Sequence, residues 1–208
     1  MRTEIAAYYN SKGKEPPPRT LKQRMTFNYY LSLIGKLDVG SEKWIELQYK
    51  LAKLSSSTFD CELRELFYQK SCGACGKTLC VMPNTIMSYA QRIFFGDFVY
   101  INSNTLIVAK EKIEIGNNVL IGPNVIINSG MHNYNDSSKT IREQGHACKP
   151  ITIQDDVWIG ANSVIMPGVT IEKGAIIGAG SIVTHSIPSY VVAVGAPAKA
   201  ISCREKEQ

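Results

Sequence analysis

From Phe95 onward one aliphatic or aromatic side chain returns every six residues, and a fixed period of six confines a chain to fewer folds than composition can. The positions are Phe95, Ile101 and Ile107, then Ile115, Ile121 and Ile127, and after a break Ile153, Ile159, Ile165, Ile171, Ile177 and Val183. The following residue is small or polar in most units (Gly96, Asn102, Gly116, Gly122, Asn128, Gly160, Gly178). Four places after the aliphatic stands a small or aliphatic residue such as Val99, Val119, Val125, Val157, Ser163, Val169, Ala175 or Ser181. Such a unit reads as a short flat strand and a tight corner. The aliphatic points into a narrow core shared with the coils above and below, while Gly and Asn supply the left-handed backbone of the corner at least cost. Three units make one turn of a parallel β-helix. An alternating antiparallel sandwich would need period two and turn clusters every eight to twelve residues or so, which this register does not show.

Two insertions break the register: two extra residues between Ile107 and Ile115, and about twenty between Ile127 and Ile153. The longer one carries Met131-His132-Asn133-Tyr134-Asn135 and is too polar to be a coil. A long loop projecting from a rigid solenoid is a usual place for function.

Residues 1 to about 70 have a different period. Leu21, Met25, Leu31 and Ile34 fall near helical spacing, and Trp44, Leu47, Leu51 and Leu54 repeat at three and four. Glu15 to Pro18 is excluded from helix interior by its consecutive prolines. Asp38 to Ser41 supply a turn, with Ser41 an N-cap ahead of Glu42 and Trp44. The spacing therefore predicts a loose arm and two helices over residues 1–70, then a β-helix domain over 71–208.

At 208 residues and 44% hydrophobic composition the chain buries one main core, which excludes a large multidomain machine. There is no run of eighteen apolar residues, and Met1-Arg2-Thr3-Glu4-Ile5 lacks a signal peptide's apolar stretch, so a cytoplasmic protein without an integral membrane segment is expected. Cys61, Cys72, Cys75, Cys80, Cys148 and Cys203 then read as reduced thiols. Net charge is +5, with Arg2, Lys12, Lys14, Arg19, Lys22 and Arg24 crowded at the start against Glu4 and Glu15. Without aromatic residues interleaved, that arm reads as a solvated face, and no nucleic-acid partner is expected.

Several segments together carry a resemblance: Ile115-Gly116-Asn117-Asn118-Val119-Leu120-Ile121-Gly122-Pro123-Asn124-Val125, Lys149-Pro150-Ile151-Thr152-Ile153 leading to Val157-Trp158-Ile159-Gly160-Ala161, Pro167-Gly168-Val169-Thr170-Ile171, Ile177-Gly178-Ala179-Gly180-Ser181-Ile182-Val183-Thr184, and Val194-Gly195-Ala196-Pro197-Ala198-Lys199. In order, spacing and interruption they resemble the hexapeptide-repeat acyltransferases, in the branch of maltose and galactoside O-acetyltransferases and related capsule or lipopolysaccharide enzymes. The resemblance implies a left-handed parallel β-helix assembled as a homotrimer, with acetyl-CoA in the cleft between subunits and a sugar or polysaccharide acceptor.

Acetyl transfer from a thioester to a hydroxyl needs a base, since a neutral alcohol is a poor nucleophile, and imidazole suits this near neutral pH. The family's catalytic histidine lies near the start of the projecting loop, where this chain has His132. Asn102 matches an asparagine that in the family lies beside the histidine and holds a hydroxyl or the developing oxyanion; asparagine is also a common corner residue. The resemblance places Trp158, Gly160, Ala161, Ala179, Thr184, His185 and Lys199 along the donor, His185 standing where a lysine is usual. Trp158 reads equally as a core or trimer-contact residue. On the acceptor side it places Tyr100, Lys110, Glu143 and His146.

Lys110 stands where enzymes for simple glycosides have an acidic residue, and His146 falls where a glutamate is expected, with Glu143 three residues upstream. These departures point away from free maltose or a simple galactoside and toward a surface-polysaccharide sugar or its precursor. N-acetylation of an amino sugar is a second enzymatic reading, though residues 1–80 lack a G-x-G-x-x-G after a strand. A zinc hydratase would need three converging histidines, and Cys72-x-x-Cys75 without a second pair is a weak zinc knuckle, so no metal is expected. A non-catalytic β-helix scaffold is the reading from another class.

Overall fold

The computed structural model describes residues 18–204. The loose arm, its basic residues Arg2, Lys12 and Lys14, and most of the proline run lie outside them.

Among the described residues three helices come first, where two were expected: α1 (Leu21–Lys36), α2 (Glu42–Ala52) and α3 (Thr58–Ser71). Each begins at a hydroxyl that takes an otherwise orphaned backbone N–H: Thr20 from Gln23, Ser41 from Trp44 and Ser57 from Asp60. The face of α1 differs from the one its spacing suggested. Leu21, Met25 and Leu31 are exposed, and the helix packs through Phe27 and Ile34. Arg19 explains why that face wins. Its guanidinium lies 3.7 Å from the Phe27 ring centroid and 4.6 Å from that of Phe59, and it pairs with Glu62 at 2.7 Å, clamping the start of α1 to α3.

The rest is a triangular solenoid. Its first face stacks β1 (Ala74–Cys75), β4 (Ile93–Phe95), β7 (Ile113–Ile115), β12 (Ile151–Ile153) and β15 (Thr170–Ile171). The second face stacks β2 (Leu79–Val81), β5 (Val99–Ile101), β8 (Leu120–Ile121), β13 (Trp158–Ile159), β16 (Ile176–Ile177) and β18 (Val191–Gly195), and is closed by antiparallel β19 (Ala198–Cys203). The third face stacks β3 (Ile86–Ser88), β6 (Leu106–Val108), β9 (Ile126–Asn128), β14 (Val164–Ile165) and β17 (Ile182–Val183). Neighbours in each stack are parallel, as in Ile93↔Ile113↔Ile151.

Every aliphatic of the sixfold register from Phe95 to Val183 is buried, as are the small residues four places on. Buried hydroxyls among them are matched to carbonyls: Thr105 donates to Gly122 O at 3.2 Å and Ser181 to Gly178 O at 2.6 Å.

The glycines after the aliphatics serve a different purpose from the one expected. Left-handed backbone falls two residues later, at Phe98, Asn104, Asn118, Asn124, Asp156, Asn162, Gly168, Gly174 and Gly180. Gly116 and Gly160 are required by close stacking: a Cβ on Gly160 would lie 2.5 Å from Ala179 N, and one on Gly116 2.8 Å from Asp155 N.

The two ends are sealed differently. Below, α3 lies against β2, and the buried Arg64 donates to four carbonyls, those of Val81, Leu51, Leu54 and Ser55. Above, β19 pairs along β18. No helix among the described residues is long and apolar enough to cross a membrane.

Candidate active site

All departures from the sixfold register fall on one edge of the prism, between the third and first faces. There lie the short 3-10 turn Ala90–Arg92, the two-residue insertion near Lys110 and the twenty-residue loop. Buried Ser129 ties the last two together, its hydroxyl accepting from Glu111 N–H at 2.8 Å and donating to Glu111 O. Lys149 N–H donates to Ser129 O, closing the loop at its base.

Above that base the loop is a hairpin of β10 (Gly130–His132) and β11 (His146–Cys148), antiparallel, with His132 directly opposite His146. The imidazole centroids are 4.3 Å apart, tilted by 40°, and both residues are exposed. Gln144 braces the tip by accepting from Asp136 N–H and donating to Asp136 O and Lys139 O. The histidines therefore stand on a braced support.

Lys110 completes this cluster. Its side chain lies against Gly130, where a Cβ would approach three of its carbons to 2.9–3.0 Å. The Lys110 charge, ahead of desolvation and the neighbouring His132, holds His146 below the usual imidazole range. Arg92, one turn below, donates to Lys110 O. Arg92 carries no motif of its own in the sequence, and its place beside Lys110 follows from the coil register, twenty residues per turn at this level. Glu143 is not part of the cluster. Its carboxylate caps the turn Ile141–Gln144 by accepting from the N–H and hydroxyl of Thr140, which also draws its pKa down.

A second group lies on the second face and the edge beyond it. Tyr100, Asn102 and Trp158 line a shallow groove of about 300 Å³ floored by Leu120, Ile121 and Gly122. Tyr100, Leu120 and Trp158 are stacked in register, and the indole is 52% exposed, which excludes a core role. Asn102 does not take the left-handed corner conformation; its side-chain oxygen accepts from Ser103 N–H at 2.7 Å. Gly160, Ala161 and Ala179 stack on the same edge, Gly180 N–H donating to Ala161 O. Lys199 sits opposite Val194 in the closing hairpin.

Within one chain the two groups remain apart. Asn102 is on the edge between the second and third faces, His132 on the edge between the third and first. Thr184 and His185, hydrogen-bonded to each other at 2.9 Å, lie on the histidine edge, two coils above the hairpin. Among the described residues no cluster of three metal-ligating side chains forms.

Residues 150–185 match the bacterial transferase hexapeptide (six repeats) family. The galactoside O-acetyltransferase of Escherichia coli is 41% identical over 67% of this chain and 68% of its own. A hexapeptide-repeat acetyltransferase of Vibrio cholerae, solved with acetyl coenzyme A, superposes with a TM-score of 0.67 at 30% identity, covering 85% of this chain and 99% of that one. A maltose O-acetyltransferase of Clostridium difficile gives 0.66 at 30% identity over 89% and 88%. With the hexapeptide match, the identity to a galactoside O-acetyltransferase and the shared fold together, the chain belongs to the hexapeptide-repeat acetyltransferases, in the branch of the galactoside and maltose O-acetyltransferases.

Proposed function

We propose that this protein transfers the acetyl group of acetyl-CoA directly to a hydroxyl of a sugar, a surface-polysaccharide unit or its precursor, with His132 as general base. The observation that carries the reading is the exposed imidazole of His132, fixed on a braced hairpin at the one irregular edge of a rigid solenoid. The acceptor oxygen attacks the thioester carbonyl as His132 takes its proton. The tetrahedral intermediate collapses with cleavage of the C–S bond, and the imidazolium returns the proton to the departing CoA sulfur. No covalent enzyme intermediate forms, so the cysteines have no part in it.

The donor lies along the second face, its pantetheine arm over Trp158, Gly160, Ala161 and Ala179, with Lys199, Thr184 and His185 toward its charged end. Asn102 holds the acceptor hydroxyl or the oxyanion, and Tyr100, Lys110 and His146 line the acceptor side. Because these groups are split over two edges of one chain, the working site is formed between copies in a homotrimer. Two faces support this with outward apolar ladders: Tyr100, Leu120 and Trp158 on the second, and Leu106, Ile126 and Ile182 on the third. Stacked without a partner, such ladders leave contiguous apolar surface in water.

Thiol release from acetyl-CoA is measured over a panel of glycosides, amino sugars and capsule oligosaccharides, with His132→Ala beside the wild type and the assembly mass determined in parallel. Loss of about 10²–10⁴-fold in kcat for a sugar hydroxyl establishes the base. Full activity in the variant removes His132 from the role. Transfer only to amines makes the enzyme an N-acetyltransferase, and absence of CoA binding leaves a scaffold.

A further inference from the structure

We infer that Lys110 and Arg92 form an anion-reading subsite beside His132, and that the acceptor carries a negatively charged group, carboxylate or phosphate, on or next to the sugar that is acetylated. This rests on the O-acetyltransferase reading above and names its acceptor class.

Lys110 is held by packing as well as by its place in the chain. Gly130 offers no side chain, so the aliphatic stem of Lys110 lies along the base of the hairpin, and its charge acts on His146, which stands opposite His132. Arg92 is fixed directly beneath, its guanidinium donating to Lys110 O with the Tyr89 ring centroid 5.8 Å away. Two cations are thus stacked one turn apart on the edge that carries His132.

Ion pairs elsewhere in the molecule join Arg19 to Glu62, Lys112 to Glu114, Lys139 to Asp136 and Arg204 to Asp156. Among the described residues, no such pair includes Lys110 or Arg92. Nearby acids are engaged elsewhere: Glu111 accepts from Lys112 N–H, Glu143 caps Thr140, and Asp136 holds Lys139 and Ser138. An anion bound on this edge would be attracted by both cations.

The donor is a poor candidate for that anion. Its phosphates are separated from the thioester by the whole pantetheine arm, whereas Lys110 stands at the imidazoles, where the thioester must come. A cation at the reacting end faces the acceptor.

Methyl glycosides sharing one ring and differing at C6 decide the matter: methyl glucoside, methyl glucuronide and methyl glucoside 6-phosphate, assayed by thiol release with wild type, Lys110→Met, Lys110→Arg and, as a charge-matched control, Lys112→Met. The wild type should favour an anionic member by about tenfold to a hundredfold in kcat/KM, the range of a charge-assisted hydrogen bond. In Lys110→Met the preference should collapse through the acceptor KM; Lys110→Arg and Lys112→Met should keep it. Glucuronide against phosphate identifies the anion. Turnover of neutral sugars without an anionic advantage, no turnover of any anionic member, or a Lys110→Met effect confined to the KM of acetyl-CoA each overturns the inference. His132-dependent turnover of neutral sugars with no anionic advantage would sink this inference alone, whereas failure to bind CoA would sink the O-acetyltransferase reading with it.

Discussion

Two edges of the same prism use one backbone in opposite ways. Between the first and second faces, each coil turns in three residues and the polar side chains are engaged with the chain. Asp97 accepts from Lys77 N–H, Asn117 from Asp97 N–H, and Asp155 from both Asn117 N–H and its side-chain amide. Between the third and first faces the chain wanders out and back, and there Lys110, Arg92, His132 and His146 belong to none of the ion pairs among the described residues. The regular edge holds the coils in stack, whereas the irregular one leaves binding capacity for something outside the chain.

Substitutions on the two edges should separate stability from activity. The largest loss of stability is expected for Gly116→Ala, whose methyl would meet Asp155 Oδ1 at 2.4 Å and backbone at 2.8 Å. Overpacking of this kind costs about 1–3 kcal/mol, read from the denaturant midpoint at unchanged slope. Asp155→Ala removes two accepted hydrogen bonds and should cost about 1–2 kcal/mol while leaving kcat near wild type. His132→Ala reverses the pattern: stability within about 0.5 kcal/mol of wild type, since the side chain is exposed, beside a collapse in turnover. Equal stability losses at the two edges would break the comparison.

The smallest effect is a titration. With His146 held below the ordinary imidazole value, the unfolded chain binds the extra proton first as pH falls. The linked stability contribution is therefore unfavourable, begins near the ordinary histidine pKa, and grows until the folded-state value is passed. Lys110→Met removes the largest cause, so the His146 ring signals should titrate at higher pH than in wild type. An unmoved titration would place the ammonium away from the ring.

Much of this was legible beforehand, for a physical reason. The inward residues from Phe95 to Val183 recur because each strand of each coil buries one against the same shaft, and a buried shaft tolerates little else. The glycines were legible as necessary but not for their reason: Gly160 is needed because Ala179 N would lie 2.5 Å from its Cβ, a contact between coils that local spacing does not display. Likewise α1 showed its helical period while hiding its face, which depends on Arg19 reaching Phe59 and Glu62 across forty residues or so of sequence. His132 and His146 were each recognisable, but their pairing required the hairpin register. Arg92 was not readable, because the two-residue insertion lengthens the turn to twenty residues and only the reach of its guanidinium brings it to Lys110 O.

The closing strand has a further consequence for colloidal behaviour. A parallel stack offers at its last rung a row of unused amides and carbonyls, onto which another copy could add indefinitely. On the second face, β19 runs back along β18 from Gly195↔Ala198 to Val191↔Cys203 and occupies that row with a strand of opposite polarity. Growth in register stops there, and the number of rungs on that face is set by the chain itself instead of by protein concentration.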